Sequence, residues 1–323
     1  MKENKNQRVL EIFFRLLKGE QISLKKLAEE YQVSVKSISR NMTEIKEFLT
    51  EHRELMQNAE LTYSHKERAY ILSSDEFLKN KELFAVIKVL LGSRCFSKDE
   101  ILTLIAKLKK VTTAEDRAGL EALIRKEVYH YHEVKADCHS VIDTLWKVIQ
   151  AIENRKMLTI HYCKMNRQEV KRKIKPVAVM FSEYYFYLIA YEASDTEMKA
   201  KYFRIDRIVS VTENREFFIL DKKHDFNEGD LREKNQFMFP GETVKIRFAF
   251  SGLSVQAVLD RLPTAKIIEK DGNISIIEAE VNNGRGLMMY LLSQGAWIKI
   301  LSPQSLITEM KAEIEKMKQL YET

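Results

Sequence analysis

The chain has 323 residues, 45 % of them apolar and 31 % charged, with a formal net charge of +6. That length and apolar share predict two or three domains with real hydrophobic cores. The three cysteines, Cys95, Cys138 and Cys163, are odd in number and far apart, which excludes a disulfide framework or a zinc spacing.

The first residues carry no apolar signal region, and no apolar run approaches the ~20 residues of a membrane helix. A soluble, cytoplasmic protein with reduced thiols is expected. Val9, Ile12, Phe13, Leu16 and Leu17 fall on one helical stripe, with Gly19 placed to end it. A second helix from Ser23 turns Leu24, Leu27, Ala28 and Tyr31 inward. After a turn at Val33 and Ser34, with Ser34 as cap, a third helix buries Val35, Ile38, Met42, Ile45 and Phe48. Its opposite side shows Lys36, Ser37, Arg40, Asn41 and Glu44.

Two short helices, a tight turn and a polar-faced second helix make a helix-turn-helix pattern. SLKKLAEEYQVSVKSISRNMTEIKEFL resembles the winged helix-turn-helix of bacterial regulators in the DeoR-like and related groups. On that reading Ser34, Lys36, Ser37, Arg40 and Asn41 contact DNA. Arg and Asn suit guanine and adenine edges, while Ser and Lys hold phosphates. Residues 61–72 are expected to form a β-hairpin wing, with His65, Lys66 and Arg68 at its tip against backbone phosphate.

Residues 75–154 are expected to be helical, as linker or dimerisation region, with no proline. Leu83, Val86, Ile87, Leu90 and Leu91 repeat at helical spacing, and Ser97 to Glu100 form a capping box. A last helix there carries Val141, Leu145, Val148, Ile149 and Ile152. His130, His132, Cys138 and His139 suggest a metal at first sight. A polar strand end explains them better, because no third ligand follows at a recognised spacing. Neither metal nor cofactor is expected.

A β-rich region opens at 158–162. From Arg155 to Lys175 stand eight Lys or Arg against Glu169 alone, a tilt that favours an anion-facing surface over a merely solvated one. Pro176 is expected to end a strand. In the strand that follows, Tyr185, Tyr187 and Tyr191 share one face and Phe186, Leu188 and Ala190 the other. Five short strands in so few residues suggest a small, strongly bent barrel.

This region resembles the WYL domain, which has an Sm-like β-barrel. Phe186-Tyr187-Leu188 stands at the Trp-Tyr-Leu triplet, Arg172 and Pro176 match the Arg and Pro before it, and Phe203-Arg204-Ile205-Asp206-Arg207-Ile208 matches its FRLDRI-like segment. Lys201 stands where an Arg is common, keeping the charge but not the fork geometry. The resemblance implies a ligand-sensing module for nucleic-acid or nucleotide-like effectors, and carries Tyr187, Arg204, Arg207 and Arg172 over as effector-binding. Strand facing and charge add Lys175, His161, Tyr162 and Tyr185. For Asp206 and Arg207 an internal salt bridge is the alternative. Arg204→Ala is expected to abolish the effector response and leave the fold intact.

Beyond Phe239-Pro240-Gly241 the order reads strand, helix, two strands, helix, strand, helix, with Lys270-Asp271-Gly272-Asn273 as a hairpin turn. That is the split-βαβ, ferredoxin-like order with an extra helix. GAWIKILSPQSLITEMKAEIEKMKQLY resembles the C-terminal extension that accompanies WYL domains.

The fold class expected is therefore a multidomain α+β chain. Its parts are a winged helix-turn-helix (1–74), a helical linker (75–154), a WYL barrel (155–220) and a ferredoxin-like extension (241–323). The function expected is sequence-specific regulation of transcription, controlled by a nucleotide or nucleic-acid effector. Double-stranded operator DNA is the partner, and the protein binds it as a homodimer. The alternatives are a single-stranded nucleic-acid-binding or DNA-damage-responsive adaptor and a nucleic-acid-processing enzyme. Against the enzyme, the sequence offers no Walker loop, no nucleophile elbow and too few carboxylates near the basic strand for a two-metal site.

Overall fold

In the computed structural model, residues 5–53, 59–73, 80–110, 114–221, 229, 233–235 and 238–322 are described. Among them no helix is long and apolar enough to cross a membrane. The chain divides into two units, Met1–Glu133 and Val134–Thr323.

In the first unit, α1 (Lys5–Leu17) buries Ile12 and Leu16. It stops where Gly19 takes a φ of 75°, a left-handed value that glycine adopts without penalty. Next comes α2 (Leu24–Glu30), whose Leu27 and Ala28 join the same core. Its end is closed by two bonds, Gln32 N–H to the Glu29 carbonyl and Val33 N–H to the Ala28 carbonyl. This Schellman-type closure needs a left-handed residue at the centre, and here it is Gln32, at φ 51°. Gln32→Gly is expected to stabilise the unit by about 0.5–1 kcal/mol, because an L side chain in that region is strained. Chemical denaturation of the two proteins checks it.

Ser34 caps α3 (Val35–Glu51) by accepting from Ser37 N–H at 3.2 Å, as the sequence implies. The buried stripe of α3 is Ile38, Met42, Ile45 and Leu49, together with Asn41. Val35 and Phe48, expected inside, are exposed, and Leu49 takes the place of Phe48. Phe48 stacks on His52 at 4.6 Å instead.

The hairpin is present: β1 (Glu60–Ser64) and β2 (Ala69–Ser73) pair antiparallel around the turn at 65–68. Ile22 adds a third rung, exchanging backbone hydrogen bonds with Tyr70 at 2.9 and 2.8 Å. The boundary expected at 74–75 lies outside the described residues. Three helices follow, α4 (Asn80–Ser93), α5 (Lys98–Lys109) and α6 (Ala114–Tyr129). Ser97 and Glu100 form the expected capping box at the start of α5. Residues 131–136 form no strand: His130 ends α6, and the buried Tyr131 donates its hydroxyl to the Phe96 carbonyl at 2.7 Å.

The second unit begins with α7 (Val141–Glu153), capped by Ser140. Sequence alone placed this helix at the end of the helical run, but it packs on the sheet that follows. That antiparallel sheet has five strands: β3 (Lys156–Cys163), β4 (Glu169–Ser182), β5 (Tyr185–Glu192), β6 (Lys201–Arg204) and β7 (Ile208–Phe217), in the order β6-β5-β4-β3-β7. Pro176 does not end a strand, since β4 runs through it. Register slips between Pro176 and Ala178, leaving Val177 as a bulge where proline's missing N–H costs nothing.

A four-stranded sheet completes the unit, with β8 (Glu242–Phe250), β9 (Lys266–Asp271), β10 (Ile274–Asn283) and β11 (Ile298–Ser302) in the order β11-β8-β10-β9, antiparallel throughout. Between the strands run α8 (Val255–Arg261) and α9 (Arg285–Ser293), followed by α10 (Gln304–Gln319). Two βαβ units interleaved give this order. The turn of the β9–β10 hairpin is made by Gly272 at φ 54°. Phe248, Ile277, Val281, Leu287 and Leu291 form the core. Arg261 ties α8 to Glu183 in the β4–β5 turn at 2.6 Å.

Candidate functional site: a stacked arginine on the five-stranded sheet

Cross-strand partners share a face, so register decides which side chains meet. Met180 pairs with Tyr187, and Tyr187 with Arg204, which puts all three on one face. Tyr185 and Tyr191 share that face by alternation. Lys175 pairs with Tyr191 and therefore joins it, although it is an odd number of residues from Met180. The bulge at Val177 reverses the parity. Lys171 and Lys173 then follow Lys175, and His161 follows through its pairing with Lys171.

Arg172 lies on the opposite face, with Ile174 and Glu192, so the sequence expectation of one site holding both Arg172 and Tyr187 is corrected. Its Nε is 3.4 Å from Glu192, which Lys201 also reaches at 3.0 Å. Tyr162 faces the same side as Arg172, edge-on to Phe203 at 5.2 Å, and its hydroxyl accepts from the Arg204 backbone N–H at 3.3 Å. Arg207 is half-buried in the 3₁₀ turn Ile205–Arg207.

The centre of the face is Arg204. Its guanidinium carbon lies 3.3 Å from the centre of the Tyr185 ring, within cation–π reach. Nε and Nη2 donate to the two carboxylate oxygens of Asp206 at 3.1 and 2.6 Å. Asp206 is thus paired internally, as the alternative reading allowed, but with Arg204 and not Arg207. Tyr187 stands edge-on to Tyr185 at 6.2 Å. Lys175 approaches the Met198 sulfur at 3.7 Å. His161 is exposed.

Burial disfavours the charge on Arg204, but its hydrogen bonds and attraction to Asp206 win, so its pKa is raised and it stays a cation. Burial pushes the Tyr187 phenol up to about 12 against the pull of Arg204, and raises Tyr162 as well. Tyr202 is likewise pushed up to about 12 by burial. The site therefore offers neutral hydroxyl donors beside a cation, which suits an anion joined to a flat ring.

A phenol whose folded pKa exceeds its unfolded value near 10 contributes stability below pH 10 and loses it as pH rises towards 12. Alkaline titration at 295 nm is expected to find Tyr187 and Tyr202 among the last phenols to ionise. Tyr187→Phe should remove one equivalent from that late phase and no equivalent from the earlier one.

The basic excess is partly spent inside the unit. Lys156 pairs with Glu213, Arg167 with Asp137, Arg172 with Glu192 and Lys173 with Glu216. Sequence counting missed these acids because they lie outside the counted window. Pairing across strands is the signal that would have found them.

In the first unit, Lys36 and Arg40 are exposed on α3, and His65, Lys66 and Arg68 are exposed in the hairpin turn. The Ser34 and Ser37 hydroxyls bond to each other at 3.2 Å at the helix start. Asn41 was expected on the exposed face and is not there. It is 0 % exposed and accepts from Arg8 Nε at 3.0 Å. At 100° per residue it sits only about 60° from Ile38, so it falls in the core stripe despite its polarity.

A WYL domain matches residues 143–213, and a WCX domain matches residues 240–318. The first span takes in most of α7 and the five-stranded sheet up to the middle of β7, the second the whole four-stranded sheet with α8, α9 and nearly all of α10. No curated protein matches the chain. Among solved structures, it is similar to proteasome accessory factor B/C (PafBC) of Arthrobacter aurescens, at 17 % identity and a TM-score of 0.29, covering 100 % of this chain and 50 % of that one. It is also similar to a CRISPR Cas-related protein, at 16 % identity and a TM-score of 0.37, covering 77 % of this chain and 75 % of that one. The chain spans half the length of the PafBC chain.

Proposed function

We propose, for a chain that carries a WYL domain and a WCX domain, that it is a sequence-specific DNA-binding transcriptional regulator controlled by an effector. The effector is a nucleotide or nucleic acid held at the WYL domain. The DNA is gripped by a winged helix-turn-helix at the front of the chain, in the WYL-regulator architecture of helical linker, Sm-like barrel and ferredoxin-like extension. The protein acts as a cytoplasmic homodimer and not as an enzyme.

The observation that carries this reading is the two-sided α3. One side is core, and the other presents Lys36 and Arg40 beside a hairpin whose turn exposes His65, Lys66 and Arg68. A helix with this facing suits the major groove, and a basic hairpin turn suits the neighbouring phosphates. Effector control is supported by the second unit, where Tyr185, Tyr187 and Arg204 gather on one sheet face. An effector shifts DNA binding only through unequal affinity for the two states, so the coupling must run both ways.

Footprinting of the full chain on genomic DNA, with and without nucleotides and short oligonucleotides, tests the proposal. Discrete protected sites that strengthen or fade with one ligand class are expected, and affinity should fall steeply with salt through counterion release. Uniform, sequence-blind binding would sink the regulator reading, and cleavage of labelled DNA with divalent metal would sink the non-enzymatic part.

The second reading, a single-stranded nucleic-acid-binding or damage-responsive adaptor, draws on Tyr184, Tyr185 and Tyr187, whose ring centres are spaced 6.3 and 6.2 Å apart. The rings stand edge-on to one another, so a base would stack on one ring at a time. Competition between single-stranded and duplex DNA for the full chain separates the two.

A further inference from the structure

Both ends of Asp206 are fixed. Its carboxylate takes Nε and Nη2 of Arg204, while its backbone carbonyl accepts from Asp137 N–H at 2.7 Å and Cys138 N–H at 3.2 Å. With its side chain only 7 % exposed, Asp206 is shielded from water, so it cannot serve an exposed ligand directly. The Tyr185 ring covers one face of the guanidinium, and the Tyr162 hydroxyl fixes the backbone by accepting from the Arg204 main-chain N–H. Of the three Arg204 guanidinium nitrogens, Nε and Nη2 are engaged and Nη1 has no hydrogen-bond partner among the described residues.

We propose that Asp206 is a positioning residue that locks Arg204 flat against Tyr185, so that Nη1 is presented to a phosphate oxygen of the ligand. This rests on the effector reading above and sharpens it. Asp206 occupies the Nε–Nη2 edge, which leaves both Nη1 hydrogens and one Nη2 hydrogen, so the phosphate is gripped at the Nη1 end of the fork. Stacking and the neighbouring phenols must supply the rest of the affinity. The ligand class that fits is a phosphate ester carrying a flat base, recognised at the Nη1 end of the guanidinium.

The test uses the full chain and a fluorescent, 5′-phosphorylated thymidine hexamer, with affinity read by anisotropy at fixed salt. Asp206→Asn keeps an oxygen to accept from Nε but removes the charge, and roughly ten- to hundredfold weaker binding is expected. Arg204→Gln should weaken binding similarly. Adding Asp206→Asn to Arg204→Gln should then change nothing further, because the neutral Gln–Asn pair has no cation left to orient. Thermal melts precede each titration, because Arg204→Gln alone leaves the buried Asp206 carboxylate without its paired cation; Asp206→Asn in that background should raise the melt and leave binding unchanged.

Failure of the wild-type chain to bind the hexamer would overturn the effector reading and this proposal with it. Wild-type binding with an unweakened or tightened Asp206→Asn variant would overturn the proposal alone. So would an equal loss from Asp206→Asn in both backgrounds, which would mean that Asp206 acts through the fold.

Discussion

Arg204→Met is expected to cost the second unit about 3–5 kcal/mol, because it strips a buried carboxylate of the cation it is paired with. Asp206 is buried, its hydrogen bonds to Nε and Nη2 are 3.1 and 2.6 Å long, and the guanidinium itself is largely covered. Methionine fills much of the space but cannot solvate a carboxylate. The double variant Arg204→Met, Asp206→Leu should recover most of the loss, since replacing both charges removes the desolvation penalty together with the attraction. Denaturant melts of the three proteins decide it. A single-variant cost below about 1 kcal/mol would mean that water shares the pair as at an exposed site. From sequence alone Arg204→Ala looks like a clean probe of ligand response. The buried pair makes it a folding variant, so loss of response in Arg204→Ala says little unless the melt is unchanged.

Arg40→Ala is expected to weaken binding to a footprinted operator roughly ten- to hundredfold, about 1–3 kcal/mol, while binding to unrelated duplex changes much less. Arg40 lies on the exposed side of α3, where an arginine can reach a guanine edge with two parallel hydrogen bonds. Gel shifts on operator and shuffled duplex at one salt concentration give the comparison. An equal loss on both would reduce Arg40 to a phosphate contact. Asn41→Ala should behave differently. It leaves Arg8 without its partner inside the core, so it should lower stability and leave sequence preference unchanged.

These two cases show where sequence reading reaches and where it stops. The helical stripes of α1 and α2, the Ser34 cap, the capping box at Ser97 and the hairpin over 61–72 are local features. They depend on residues a few positions apart, and the structure has them where spacing puts them. The polarity of Asn41 points to exposure, whereas its angle on the helix puts it in the core stripe, where the structure has it. A polar residue stays inside when another element brings it a partner, and here α1 brings Arg8 from 33 residues away.

By itself, the sequence determined the first three helices, the hairpin, the tyrosine-rich strand and the resemblance to the WYL domain and its extension. Those follow from period, turn chemistry and short motifs, which a linear reading contains. Only the tertiary structure decided that Val177 bulges, that Lys175 therefore shares a face with Tyr187 while Arg172 does not, and that Asp206 takes Arg204 as its partner. A strand's facing reverses with each residue, so one inserted residue redirects every side chain beyond it. No count of charges or aromatics along the chain registers that reversal, because it exists only in the pairing of one strand with the next.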